Sequence, residues 1–427
     1  MINKERFKLL IPINLFHTMA HIYPYLLAVL SLVIREEIVM NYTEVAILSM
    51  TSVLVTIPFT VVFGFIGDKL CKWRLELIIA GYILVFSHTF IIFVANSYGT
   101  LILAAVIGGI GASVFHPIAL PLLSQEFGSE RNMAHSFNLI FGTFGSIITP
   151  IVSISLSEWL GWRKTSLIFG IAGGIMLPVL LIFLLFGKKH LQYDPLNPEM
   201  CEAEISKTHS QIKSTKRKNG NKKLAFLTLP LLLVIIAQII RSGTFRIMNT
   251  FTGLIFEDEF GTSELGAAAI MSIVLGLGGV AALISGFISS KWGSLKTFIF
   301  AKGSTTIASI LLIIFLGVIK IKSITITIPL LILAVILFVY LSMSFYFGSP
   351  SANGLFAEMV PARYLSSTFG IVNSLMIGFS AATPVIFGAI VDQSFALPYE
   401  YLMLIVLSLI PFLLLLYVKS SIKIKEP

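Results

Sequence analysis

The sequence predicts an all-α integral membrane protein, with twelve transmembrane helices arranged as two pseudo-symmetric six-helix bundles. Three observations predict it. Of 427 residues 56% are apolar and only 12% charged, a balance suited to lipid rather than water. The apolar residues gather into about twelve stretches, each close to the roughly 20 residues that cross a hydrocarbon core. One long polar stretch, KKHLQYDPLNPEMCEAEISKTHSQIKSTKRKNGNKK from Lys188 to Lys223, divides those stretches six and six.

The N-terminus, MINKERFKLL, has the basic start of a signal peptide. The apolar stretch after it runs to Ile34 with no small-residue cleavage site, so it is read as a retained first span, 10–34. Cutting at charge and turn clusters places the next five at 43–66, 76–95, 100–123, 135–157 and 164–187. The stretch 188–223 is rich in Pro, Asn and Lys and has little periodicity, as expected of a partly disordered cytoplasmic linker, a regulatory role or contact with anionic headgroups being the lesser alternative. Six further spans follow at 228–255, 265–288, 297–319, 325–347, 366–390 and 399–418. The expected domains are therefore 1–187, the linker 188–223, and 224–427.

Orientation follows from the cations, because Lys- and Arg-rich loops stay in the cytoplasm. One side carries the N-terminal lysines, Lys69, Lys72, Arg74, Arg131, the linker lysines, Lys291, Lys296, Lys302, Arg363 and Lys419. The other carries Arg35, Arg163, Lys164, Lys320 and Lys322. An even number of spans puts both termini on the rich side, which makes them cytoplasmic. The formal charge of +9 is thus explained by topology, and nucleic acid is not an expected partner. Cys71 and Cys201 fall on the same side, where no disulfide is expected.

The halves repeat each other. Gly64, Phe65, Ile66, Lys69 and Arg74 match Gly286, Phe287, Ile288, Lys291 and Lys296 at one constant offset, and SQEFGSER after the fourth span echoes FAEMVPAR after the tenth. Duplicated six-helix units are the mark of a secondary transporter. In that light GFIGDKLCKWRL, Gly64 to Leu75, reads as a latch between helices that must come apart. Gly64 and Gly67 permit close packing, Asp68 can pair with a cation or a helix N-terminus, and Lys69, Lys72 and Arg74 hold the loop in the cytoplasm. Glu126 with Arg131, and their echo Glu358 with Arg363, are candidate gating pairs or ordinary surface ion pairs.

The same loop resembles the signature G-x-x-x-D-[RK]-x-G-[RK]-[RK] of the major facilitator superfamily, with Cys71 at the third glycine position. Its counterpart keeps Gly286, Lys291 and Gly293 but has Ser290 in place of the aspartate, and GWR at Gly161 to Arg163 is a further superfamily habit. GIGASVFHP at Gly109 to Pro117 and AEMVP at Ala357 to Pro361 resemble the fosmidomycin-resistance branch. Departures are specific. Where that branch shows H-x-x-N-D, this chain has His17, Thr18, Met19, Ala20 and His21, with no carboxylate. Ala105 replaces an Arg common in drug–proton antiporters, and the fifth-span glycine motif is reduced to Thr149 through Ile154. The resemblance implies an alternating-access carrier, and the departures argue against a standard drug–proton antiporter.

An ionisable group inside a span is a functional candidate, since an Arg there costs ~2.5–3.5 kcal/mol. The candidates are basic: His17 and His21 in the first span, His88 in the third, His116 in the fourth, Arg241 and Arg246 in the seventh. His17 and His21 share a helix face, and the inter-half offset brings them near the depth of Arg241 and Arg246. Cations facing a central cleft suit a carboxylate or phosphate, with imidazole adding a switchable proton. The two arginines lie about 140° apart around a helix, so both cannot face the cleft equally. Structural hydrogen bonding is the alternative for each, His116 being placed before the helix-kinking Pro117 and His88 reading as packing. The candidate substrate-binding set is His17, His21, His116, Arg241 and Arg246. The candidate gating set is Gly64, Asp68, Lys69, Arg74, Glu126, Arg131, Glu358 and Arg363.

Seven scattered histidines without H-x-x-H-H spacing give no di-metal oxidase, and no phosphate-binding G-x-x-x-x-G-K-[ST] loop is present. No enzyme, cofactor or metal is expected. The expected partners are a small-molecule solute, a coupling proton and the lipid bilayer, with a single chain sufficient for function. The sequence therefore points to a secondary carrier, antiporter or symporter, of a small organic solute, most simply an organic anion, in the inner cell membrane. Efflux of a drug or metabolite in the fosmidomycin-resistance manner is the alternative, and a channel would lack the counterflow that a carrier shows.

Overall fold

The computed structural model describes residues 4–40, 42–188, 228–322, 324–391 and 401–421. Within them every expected span is a helix. The first six are α1 (Lys4–Glu37), α2 (Tyr42–Lys69), α3 (Arg74–Phe93), α4 (Tyr98–Phe127), α5 (Arg131–Leu160) and α6 (Trp162–Lys188). The second six are α7 (Leu229–Asp258), α8 (Glu264–Trp292), α9 (Ser294–Ile321), α10 (Ile328–Met359), α11 (Leu365–Val391) and α12 (Leu402–Ser421). Lys188 closes α6, and the rest of the expected linker lies outside the described residues, as does Cys201.

Among the described residues, eleven segments are by length and composition apolar enough to cross a membrane. One, Tyr98–Leu160, has 63 residues and would measure ~95 Å as a single helix, three times a bilayer core. It holds two helices, α4 and α5, hinged at the turn Gly128–Glu130. The ends are set by local chemistry. Ser97, Thr228 and Ser263 each accept a hydrogen bond from a first-turn N–H of α4, α7 and α8, satisfying donors that a helix start leaves unpaired. The helices overrun the apolar windows, most of all α10, which continues past residue 347 through Ser349 and Ser351. Hydropathy marks the lipid-spanning part; the hydrogen-bonded backbone goes further wherever neighbours bury the small polar side chains.

Contacts group the chain into two compact units: Met1–Lys218 with Pro361–Ser374, and Asn219–Val360 with Leu375–Pro427. In the first, α4 packs on α2 and α3, and α6 on α1 and α3. The second repeats this with α10 on α8 and α9, and α12 on α7 and α9. The glycine-rich run of α4 explains its central place. A Cβ on Gly109 would stand 2.7 Å from the Ser52 carbonyl oxygen of α2, so only glycine lets those backbones meet. Aromatic hydroxyls add directional ties, Tyr23 of α1 and Tyr82 of α3 donating to the Phe169 and Gly173 carbonyls of α6, both at 3.0 Å. The first unit's core gathers Phe16, Tyr82, Phe115 and Phe127; the second's gathers Phe256, Phe338, Leu341 and Phe387.

One cation is not where the loop count put it. Lys302 lies inside α9 and is fully buried, so it cannot serve as a cytoplasmic loop charge. The apolar residues before it and the small hydroxyl residues after it belong to a continuous helix.

Candidate functional site

Each unit buries its own cluster of basic side chains. In the first, α1 sets His17 and His21 one turn apart with their Nε2 atoms 3.1 Å from each other. His17 Nδ1 lies 2.6 Å from the Asn138 carbonyl oxygen of α5, and His21 Nδ1 lies 2.9 Å from Ser146 Oγ. His116 of α4 stands edge-on to both rings, with centroids 5.1 Å from His17 and 6.0 Å from His21. One ring nitrogen from each of the three lies within 4.8 Å of the others. His17 is buried, whereas His21 and His116 are half-buried.

The neighbours hold these rings firmly. His17 stacks on Phe115 with centroids 4.6 Å apart, and Gly142 leaves it room, since a Cβ there would come within 2.5 Å of His17 Cε1. Around it α1 and α5 are cross-bonded: Asn138 Nδ2 donates to Asn14 Oδ1 at 3.0 Å, and Thr18 Oγ1 to the Phe141 carbonyl at 2.9 Å. Polar side chains of this kind tie helices together where lipid offers no hydrophobic drive.

In the second unit, Arg241 of α7 is buried and donates from Nη1 to Ser349 Oγ of α10 at 3.0 Å. Its guanidinium carbon lies 5.3 Å from the ring centre of Phe345 and 5.9 Å from that of Phe298. Lys302 Nζ comes to 4.9 Å from the same Phe345 ring. Arg241 Nε and Lys302 Nζ, both buried, have no hydrogen-bond acceptor among the described residues. No carboxylate pairs with either cation there. Arg246 is half-buried further along α7, so the two arginines, which helix geometry already kept from facing one side equally, differ in burial. Counting charges by loops missed Lys302; its place within an apolar run was the signal that could have found it.

Where α2 runs into the loop to α3, Asp68 contacts both a helix N-terminus and a cation. Its carboxylate accepts the backbone N–H groups of Ser366 at 2.9 Å and Ser367 at 2.8 Å, and also the Ser367 hydroxyl. These are the free donors of the first turn of α11, so Asp68 caps that helix from another chain segment. Arg74 stands 3.8 Å from Asp68 and is anchored by the Gly67 carbonyl and Gln125 Oε1. A Cβ on Gly64 would meet the Ser366 carbonyl oxygen at 2.8 Å. Lys69 is exposed. Arg131 donates to the Gly128 carbonyl at 2.6 Å, and Glu126 is buried. Glu358 accepts from Ser294 Oγ at 2.7 Å, and Arg363 lies 4.3 Å over the Tyr364 ring. His88 packs against Gly108 and bonds the Val85 carbonyl within its own helix.

A second tie in the first unit was not foreseen. Glu37, at the end of α1, accepts from Trp162 Nε1 at 2.8 Å and from Arg163, which also reaches the Ala95 carbonyl at 2.9 Å. Those hydrogen bonds, from Arg163 first and Trp162 second, hold the Glu37 carboxyl below its ordinary value.

Comparison with known proteins follows the same lines. A family model described as the Major Facilitator Superfamily matches residues 14–382. A curated relative, the fosmidomycin resistance protein of Escherichia coli strain K12, is 25% identical over 151 residues, which is 35% of this chain and 36% of the relative. The matched part thus spans little more than a third of that protein. Among solved structures, the proton:xylose symporter XylE aligns over 97% of this chain and 95% of its own, with a TM-score of 0.72 at 13% identity. The E. coli fucose:proton symporter FucP aligns over 96% and 98% (TM-score 0.67, 13% identity). A bacterial homologue of the iron transporter ferroportin in an outward-facing state aligns over 98% and 100% (TM-score 0.68, 12% identity). At such identities these structures share the fold.

Proposed function

The chain belongs to the major facilitator superfamily, and from that premise we propose that it is an alternating-access carrier of a small organic anion, driven by a proton or solute gradient. It is a multi-pass membrane transporter and not an enzyme. The observation that carries the anion reading is the pair formed by Arg241 and Lys302. An arginine and a lysine buried in an apolar bundle, with N–H groups left over and no carboxylate paired to either among the described residues, are a standing cost, ~2.5–3.5 kcal/mol for the arginine. A carboxylate or phosphate would offset that cost, the guanidinium offering a planar fork and the ammonium a point charge. The Phe345 and Phe298 rings beside them suit an organic body. Arg246, half-buried further along α7, is not part of the proposed docking group.

Alternating access needs contacts that form in one state and release in another. The Asp68 bonds to the first turn of α11, with Gly64, Lys69 and Arg74, are proposed as that gate, and Glu126, Arg131, Glu358 and Arg363 as further gating residues of their own units. The proposed setting is the inner cell membrane with both termini cytoplasmic, and one chain as the working unit. The second reading is efflux of a drug or metabolite, favoured by the likeness to a fosmidomycin resistance protein. Counterflow in proteoliposomes separates the two. Saturable exchange of carboxylates or phosphates, lost in Arg241→Ala and kept in Arg246→Ala, supports the anion carrier; exchange of cationic drugs alone removes it.

A further inference from the structure

We propose that His17, His21 and His116 form a binding site for a divalent transition-metal ion of the zinc class, held by imidazole nitrogens with at least one coordination position left open. The donor set selects the metal. Imidazole suits zinc, cobalt, nickel and copper, whereas magnesium and calcium demand oxygen ligands that these three residues do not supply.

The spacing fits one ion. Two nitrogens bound at ~2.0–2.1 Å to a tetrahedral centre stand about 3.3 Å apart, and the His17 and His21 Nε2 atoms are 3.1 Å apart. His116 brings a third nitrogen to within 4.8 Å of both, a gap that a small ring movement would close.

Proton accounting points the same way. The Asn138 carbonyl carries no hydrogen, so a neutral His17 has its proton on Nδ1 and a lone pair on Nε2. Ser146 Oγ donates to the Gly142 carbonyl at 3.3 Å and can therefore receive the Nδ1 proton of His21. That leaves two lone pairs facing each other, an arrangement that a cation between them resolves. A carbonyl or hydroxyl on the far nitrogen is also the usual second partner of a metal-bound histidine, fixing its tautomer and strengthening it as a ligand. His21 and His116 are half-buried, so the group is not sealed within the packing. Three protein ligands give an open site rather than a structural one, with room for water or a donor atom of a solute.

The competing arrangement turns the Ser146 hydrogen onto His21 Nδ1, making His21 Nε2 a donor to His17. The test distinguishes them. Purified full-length protein in detergent, with its affinity tag removed, is titrated with Co2+ and followed by visible absorption, then with Zn2+ in competition. The expected result is one equivalent of tetrahedral cobalt, displaced by zinc and lost in His21→Ala and His116→Ala. Ser146→Ala keeps all three ligands and should weaken binding ~10–100-fold, which keeps the proposal open to refutation if a ligand variant fails to fold. Absence of stoichiometric cobalt, or an unchanged spectrum in both histidine variants, overturns it in favour of the plain hydrogen bond. Arg241→Ala should leave cobalt binding intact, so the anion reading and this one can fail separately.

Discussion

The two units repeat one helical plan but bury opposite chemistry. In the first, each Nδ1 of His17 and His21 already has a partner, and their Nε2 atoms face each other at 3.1 Å. In the second, Arg241 and Lys302 keep hydrogens with nowhere to go among the described residues. On the two proposals above, the first cluster takes a cation and the second an anion. The repeated plan keeps the packing, since α10 meets α8 and α9 as α4 meets α2 and α3, and α12 meets α7 and α9 as α6 meets α1 and α3, while the sites grafted on it diverge freely.

The largest effects should come from the second unit. Removing one member of a buried, solvent-shielded charge contact costs ~2–5 kcal/mol, so Arg241→Ala should lower anion exchange about 30-fold or more. Lys302→Met sharpens the contrast because it should act in opposite directions on two readouts. Transport falls, yet replacing a buried unpaired charge with an apolar chain of similar length should raise the unfolding temperature by roughly a few degrees. If transport survives while stability rises, Lys302 is an unneeded charge and the comparison between the units breaks.

Next in size is the cap on α11. Asp68→Asn removes the charge that gathers two backbone N–H groups and a hydroxyl, at a cost of ~1–3 kcal/mol. Hydrogen exchange at the Ser366 and Ser367 amides should accelerate. Gly64→Ala should do the same by a different route, since its methyl group would press on the Ser366 carbonyl oxygen. Unchanged protection in both variants would remove the gate. A smaller and more local effect is expected of Gly142→Ala. Its methyl would displace the His17 ring, weakening cobalt binding about tenfold while leaving anion exchange alone, and equal damage to both functions would mean that the two clusters are not independent.

Much of this was legible in the chain because bilayer thickness and duplication are long-range constraints written in simple patterns. Every apolar window became a helix, and the sequence left Asp68 two kinds of partner, a cation or a helix N-terminus, because a lone carboxylate in a short basic loop between spans has few others. What stayed hidden depends on contacts across the sequence. His116 joins His17 and His21 only when α4 packs beside α1, and no motif spacing encodes that. Lys302 was read as a loop charge because cation counts assume that apolar helices exclude lysine. Arg131 donates to the Gly128 carbonyl of the turn Gly128–Glu130, a contact that no charge pattern in the sequence announces.

The smallest expected effect tests the other tie in the first unit, where a charge is held at the rim instead of inside. Glu37 joins the end of α1 to Trp162 and Arg163 at the start of α6, and its carboxyl is exposed. Because those bonds lower the folded-state pKa, their contribution is fully present above the ordinary carboxylate value and fades as pH falls through the folded one. Glu37→Gln should therefore show a slightly lower unfolding temperature than wild type at neutral pH and the same temperature in acid. The gap should also shrink with added salt, as it must for an exposed ion pair. A gap that persists in acid would locate the tie in the Trp162 and Arg163 packing rather than in the carboxylate, and would leave Asp68 as the first unit's one charge-dependent fastening among the contacts described.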